Sequence, residues 1–433
     1  MDVGQNRRMR NSTTKTSSSE ISEFHRVFGR IGIFSFGGPA AQISVMHREL
    51  VEERPWLDEE QFLRALSFCM LLPGPEAMQL ATYAGWLRRG VLGGVIAGLL
   101  FVLPGAVVIA ALALLYVEFG SLPQTGAILM GIKALVMIIV VQALIKLSSK
   151  ALKSRMAYVL AILAFVALFF VQVPFPLVIA AAGLFGWFGA EATEKETPTA
   201  RTTRSIDWRL IGLWTALWLL PLPVLWLSGQ TFLFQLAAFF AKLAVSTFGG
   251  AYAVLAYMAQ QVVETHAWLS ASEMVDALGL AETTPGPLIL VTQFVGMLAG
   301  YGVGGIWLAL LAGLLTLWMT FVPCFLWIFA GAPHVETLLA RPRLKSGLQA
   351  ITAAVVGVIA NLSLWFALHV LFDVLTPLKI GVFSFDWPEF SSINWQLFPL
   401  IGLGAVLIFV FKRGVLLSLF ICAVAGLGLG FFM

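Results

Sequence analysis

The chain has 433 residues, of which 59% are hydrophobic and 12% charged, and its mean hydropathy is +0.90. A water-soluble domain of this length would present far more polar surface, so composition excludes a soluble globular protein and makes lipid the solvent. The formal charge of +4 is no argument for nucleic acid, because Lys and Arg in so apolar a chain gather in cytosolic loops.

Residues 1–25 form a polar, Ser- and Thr-rich tail without the apolar stretch of a cleaved leader, and read as a cytosolic arm. Beyond it, a crossing needs about 20 apolar residues. That rule divides the chain into thirteen segments: 26–47, 65–87, 90–117, 124–147, 151–171, 174–190, 208–228, 231–263, 275–299, 302–330, 346–376, 396–411 and 414–432. The charged, Thr-rich stretch 191–207 separates two halves. The organisation expected is a tail (1–25), a first repeat (26–190), a linker with a connecting helix (191–230) and a second repeat (231–433).

The halves repeat at a fixed offset of 212 residues. Phe36-Gly37-Gly38 falls on Phe248-Gly249-Gly250, and Pro73-Gly74-Pro75 on Pro285-Gly286-Pro287, with no gap between them. Glu52 meets Glu264, and Trp56-Leu57 meets Trp268-Leu269. With small insertions, Gly131-Ile132-Lys133-Ala134 meets Gly347-Leu348-Gln349-Ala350. The first segment corresponds to the eighth, an odd shift, so equivalent segments point in opposite directions. The fold expected is an all-α polytopic membrane protein, an inverted-topology repeat of two six-segment units joined by a linker helix.

Charge orients it. With a cytosolic N-terminus and an external C-terminus, the basic turns at 88–89, 146–155, 195–209, 341–345 and 412–413 all fall inside. The stretch 48–64, with Arg48, Arg54 and Arg64, falls outside in a simple count, and its cation-free equivalent 260–276 falls inside. Both anomalies vanish if segments 1, 2, 8 and 9 are re-entrant hairpins, which leaves nine spans; thirteen full spans is the alternative.

Phe-Gly-Gly and Pro-Gly-Pro break helices, and a break at membrane depth survives only where protein or a wet cavity satisfies its backbone. Proline ends one helix and is accepted in the first turn of the next. The new N-terminus offers free N–H groups and about half a positive charge, a ready anion site. Gly and Pro in membrane helices also serve close packing and kinks, an explanation that weakens when both motifs recur at one offset. Intramembrane charges are few and therefore functional candidates. Lys133, in segment 4, suits anion contact or the pairing of a carboxylate. Arg30 and Lys242 share one repeat position, with interfacial snorkelling as their plainer role. Glu76 either compensates a helix N-terminus or carries protons, and Glu282 is a second proton carrier. Cys69, Cys324 and Cys422 have no ligand spacing, the five histidines are scattered, and there is no P-loop. No metal, cofactor or enzymatic chemistry is expected.

At Phe34-Ser35-Phe36-Gly37-Gly38-Pro39, Trp56 to Leu66, Leu72-Pro73-Gly74-Pro75 and Gly131-Ile132-Lys133-Ala134, the sequence resembles the chromate ion transporter family in its long, two-domain form. Ser246-Thr247-Phe248-Gly249-Gly250 and Thr284-Pro285-Gly286-Pro287 extend the match. The resemblance implies export of chromate across the bacterial cytoplasmic membrane, with sulfate as a competing oxyanion; a homodimer is compatible with it. Substrate contact is expected at Ser35, Phe36, Gly37, Gly38, Pro73, Gly74, Pro75, Lys133, Thr247, Gly249, Gly250, Pro285, Gly286 and Pro287. Arg30, Glu76, Lys242 and Glu282 are expected on the charge pathway. The second copy has Ala251 for Pro39, Leu288 for Glu76 and Gln349 for Lys133, so the two half-sites are unequal. A sulfate uptake permease and an anion channel are the competing readings.

Overall fold

A computed structural model describes residues 20–189, 207–248, 251–339 and 341–430. Helix α1 covers 20–34 and α2 Gly38–His47, separated by the break at Ser35-Phe36-Gly37. Gly37 and Gly38 take φ of +87° and +79°, a region that a Cβ disfavours. After a π-turn at Arg48–Glu52 the chain meets its own start: Phe24 stacks on Trp56 with ring centroids 6.1 Å apart, and Arg30 pairs with Glu49 at 3.2 Å. Both ends of the α1–α2 hairpin therefore lie at one end of the molecule. Helix α3 (Glu59–Cys69) opens on a capping box, with the Gln61 amide donating to Asp58 at 2.7 Å.

Helix α4, Glu76–Phe119, has 44 residues and would reach about 66 Å if straight, twice the roughly 30 Å of hydrocarbon. It does not run straight. Arg89 and Gly90 leave helical geometry, and the two arms fold against each other, Gly85 on Gly93 and Gly98 on Thr82. Arg88 at this tip lies 4.9 Å from the Trp56 ring, so the α3–α4 break is also flanked by two ends on one side. Helices α5 (Pro123–Ala151), α6 (Arg155–Phe169) and α7 (Phe175–Phe188) complete the first half, and α8 (Trp208–Leu219) with α9 (Pro221–Leu227) leads to the second.

The same order returns. Helix α10 (Thr231–Ser246), α11 (Ala251–Gln260) and a π-turn at Gln261–Thr265 precede α12 (Ala271–Ala281), which opens on a Ser270/Glu273 capping box, 212 residues after the box of α3. Helix α13 (Val291–Gly331) breaks at Gly304 (φ −154°, ψ 23°) and Gly305 (71°, −162°), close to Arg89 (−142°, 25°) and Gly90 (64°, −156°). Helices α14 (Val335–Leu339), α15 (Pro342–Leu371), α16 (Leu397–Ala405) and α17 (Val415–Gly430) follow. Packing between the halves is exchanged: α4 lies on α13, α5 on α16 and α17, and α15 on α6 and α7.

The expectation of an all-α chain is corrected at one place. Strands β1 (Leu375–Ile380) and β2 (Phe383–Pro388) form an antiparallel hairpin in the polar stretch between the eleventh and twelfth apolar segments. It caps the α6–α7 turn, where the Ser384 amide donates to the Phe170 carbonyl at 2.7 Å and Phe385 packs on Phe169. Among the described residues five helical stretches are long and apolar enough to cross a membrane, including α5, α15 and α8 with α9. Ile162, Leu163 and Leu177 expose apolar side chains as lipid-facing positions do. The protein is a multi-pass membrane protein.

Helices α5 and α17 approach closely at Gly131, where an added Cβ would run into the Cys422 carbonyl. Gly131→Val should destabilise the protein by about 1–3 kcal/mol through overpacking against backbone that cannot yield. Thermal unfolding in detergent checks this, with Gly126→Ala, on the same helix but open to space, as the near-neutral control.

Candidate functional site: the crossed breaks at the centre

The four breaks do not stand alone; each half supplies what the other lacks. Helix α1 ends where Ser35 Oγ donates to the Ile31 carbonyl at 2.5 Å, and α10 where Thr247 Oγ1 donates to Leu243 at 2.6 Å. These side chains occupy acceptors that the ending helix leaves without amides. Their own carbonyls point to the opposite half. The Gly74 amide donates to the Thr247 carbonyl at 2.8 Å, and the Gly286 amide to the Ser35 carbonyl at 2.9 Å. Position for position, these two bonds are the same bond made twice.

Glycine is required here by approach as well as by dihedral angle. Gly74 has φ +122°, and a Cβ on it would lie 2.7 Å from Gln79 Nε2 and 3.0 Å from Cys324 Sγ. Gly286 (φ +84°) faces Phe101 and Gly105 of α4. Three buried glutamines tie off further carbonyls: Gln79 holds Pro73 at 2.7 Å, Gln42 holds Gly286 at 2.5 Å, and Gln293 holds Ala106 at 3.0 Å. The Oε1 atoms of Gln79 and Gln293 are buried and have no hydrogen-bond partner among the described residues, so polar capacity remains at the centre.

The structure gives several of the expected site groups partners within the protein. The Gly74 and Gly286 amides, assigned to anion recognition, are committed to Thr247 and Ser35; they lock the halves together in this conformation. The first amides of α2, at Gly37 and Gly38, precede any intrahelical acceptor, and no loop carbonyl among the described residues takes them. Gly249 and Gly250 lie outside the described residues. Lys133 takes the carboxylate-pairing role: Nζ is 2.9 Å from Asp276 Oδ1 and 3.3 Å from Ser272 Oγ, while Tyr116 donates to Asp276 Oδ2 at 2.9 Å. The pair joins α5 of one half to α12 of the other.

The other charged candidates part company. Arg30 is held by Glu49 and Glu53 in the connection after α2, away from the glycine motifs, and Lys242 is exposed. Symmetric in sequence, they are not brought to the breaks. Glu76 sits in the first turn of α4, directly after Pro75, where a negative charge is complementary to the positive end of the helix dipole. Glu282 is 6% exposed and accepts from Tyr252 at 2.9 Å. The Tyr252 hydroxyl in turn lies 4.0 Å from where a Cβ on Gly38 would stand. An acid of the second half thus reaches the Gly37-Gly38 break of the first. Asp276, Tyr116, Tyr252 and the three glutamines escaped sequence reasoning. Asp276 aligns with Arg64 in a polar stretch, so it looks like an aqueous-loop residue; only its position one residue inside an apolar segment could have marked it.

Breaking a buried pair on one side leaves an uncompensated charge. Asp276→Leu should lower stability by about 3 kcal/mol, and joining it to Lys133→Met should recover most of that loss. Thermal unfolding of the two variants checks the ordering, and a double variant as unstable as the single would show that the pair matters for something other than charge balance.

Comparison with known proteins agrees with this architecture. The profile of the chromate transporter family matches residues 22–187 and again 234–427. The chain is 29% identical over 388 residues to a chromate transport protein of Cupriavidus metallidurans, covering 88% of this chain and 90% of the relative. It is 30% identical over 363 residues to a chromate transport protein of Pseudomonas aeruginosa, covering 83% of each. An uncharacterized transporter of Methanocaldococcus jannaschii is 25% identical over 370 residues, covering 83% of this chain and 88% of that one. No solved structure matches the chain. With one family profile fitting both halves around the crossed Phe-Gly-Gly and Pro-Gly-Pro breaks, the chain belongs to the chromate transporter family.

Proposed function

We propose that the protein exports chromate from the bacterial cytoplasm through the cytoplasmic membrane. The observation that carries this reading is the centre itself, where breaks from both halves meet and the open amides of α2 lie beside the Tyr252–Glu282 pair. Amides at a helix N-terminus in a low-dielectric site suit a tetrahedral dianion. The names of the relatives point to the same cargo. Sulfate, of like charge and shape, is the expected competitor.

The two halves, 26–190 and 231–433, are read as inverted repeats, with the 191–230 linker contributing α8 and α9 as the crossing that turns the second half over. The repeated break dihedrals and exchanged contacts support this. It puts the N-terminus in the cytosol, the C-terminus outside, and the connections 48–64 and 260–276 on opposite faces. Both stretches are flanked by helical hairpins, which favours four re-entrant elements. Single cysteines introduced at Asp58 and at Ser270 should react with impermeant reagents from opposite sides of right-side-out vesicles. Reaction of both from one side would remove the inversion.

The driving force needs no proton. One charge crossing 100 mV is worth about 2.3 kcal/mol, so a dianion leaving an inside-negative cell gains about 4.6 kcal/mol. At 1.36 kcal/mol per decade that supports a gradient of roughly a thousandfold or more. Proteoliposomes clamped with potassium and valinomycin should therefore move chromate in proportion to voltage at equal pH. Movement only under an imposed pH gradient would replace this reading with obligatory proton exchange, for which Glu282 and Glu76 are the carriers.

A further inference from the structure

Beside the Phe36-Gly37 break lies a cavity of about 620 Å³, whose wall includes Gln142 and Lys146 of α5 and Lys412 and Arg413 from the α16–α17 connection. No carboxylate lines it, and among the described residues none of the three cations is in a salt bridge. Arg30 and Arg54, by contrast, are matched by Glu49, and Lys133 by Asp276. Three unmatched positive charges around one concave space, with an amide side chain and an open helix start at its floor, have the character of an anion site.

The connection that carries two of these charges is built under constraint. A π-turn at Val406–Val410 closes with the Phe411 amide on the Val406 carbonyl at 2.9 Å, and the Arg413 amide returns to Leu407 at 3.0 Å. Between them Lys412 has φ +50°, a conformation that a side chain adopts at a cost. Basic residues at helix ends are accounted for by membrane orientation alone, but orientation requires neither a left-handed lysine nor a cavity shared with a helix break. The opposite end offers the contrast: the small cavity beside α11 is lined by Glu264 and Asp386 and has no cation.

We infer that Lys146, Lys412 and Arg413, with Gln142, form a vestibule that binds an oxyanion dianion before it reaches the Gly37-Gly38 break, and so sets the affinity for the cytosolic substrate. The inference rests on the export reading above for its direction of travel, but the existence of the site does not depend on transport. Anions are concentrated by such a funnel, which opens directly onto the Phe36-Gly37 break, while the Gly74 and Gly286 breaks do not line it. The vestibule accordingly governs capture and not the rate of crossing.

The test uses the full-length protein in two arms. In the first, a cysteine at Gln142 is probed with anionic and cationic methanethiosulfonates of equal size, the native Cys69, Cys324 and Cys422 being buried. The anionic reagent should react at least about tenfold faster, with protection by sulfate, and the preference should vanish when Lys412→Gln and Arg413→Gln are added. In the second, the Lys412→Gln, Arg413→Gln double variant without the new cysteine should raise the half-saturating chromate concentration about tenfold and leave the maximum rate within about twofold. Equal reactivity toward the two reagents, or an unchanged half-saturation in the double variant, overturns the vestibule. If the unmodified protein moves no chromate, the export reading falls, and the labelling arm alone decides the site.

Discussion

Hydrocarbon offers a polypeptide no hydrogen bonds, and everything at the centre of this protein answers that constraint. Four helices stop at the Phe-Gly-Gly and Pro-Gly-Pro breaks, which frees amides and carbonyls that must find partners. The answer is mutual: Gly74 donates to Thr247 and Gly286 to Ser35, while Ser35 and Thr247 turn their hydroxyls back on their own helices. The breaks can exist because each is completed by the other half. Close glycine contacts then follow, since carbonyls can be shared only if backbones come within hydrogen-bond reach.

Much of this arrangement can be read from the residues, and the limit of that reading is physical. The 212-residue offset locates both motifs and the places where helices stop, because those depend on local chemistry: proline lacks an amide and glycine tolerates positive φ. What the offset does not reveal is which amide meets which carbonyl. Gly74 looks like a free donor until Thr247 is placed against it. Lys133 suits an anion or a carboxylate equally until Asp276, distant in sequence and aligned with a basic residue, is placed against it from the other half. The β1–β2 hairpin is invisible for another reason: a short two-stranded unit is held by its contact with Phe169 and Phe170 more than by its own pattern.

Symmetry in sequence and symmetry in charge also diverge. The backbone devices are duplicated almost without change, whereas the side chains that carry charge are not: Glu76 faces Leu288 across the repeat, Lys133 faces Gln349, and Asp276 faces Arg64. A scaffold with two similar halves thereby holds one acid in each, Glu76 after Pro75 and Glu282 beside Tyr252, at positions that the repeat does not pair, and one ion pair across the seam.

The crossed bonds have a consequence in time. Thr247 follows Gly74 by roughly 170 residues, which at about 5–20 residues per second is an interval of roughly 10 to 30 s during synthesis. Throughout that interval the first half is in the membrane without the carbonyl that its Gly74 amide will take. The Gly74 contact is therefore not available to the first half while the start of the second is still being made. The bond that closes the first break forms only after the second half has begun to appear.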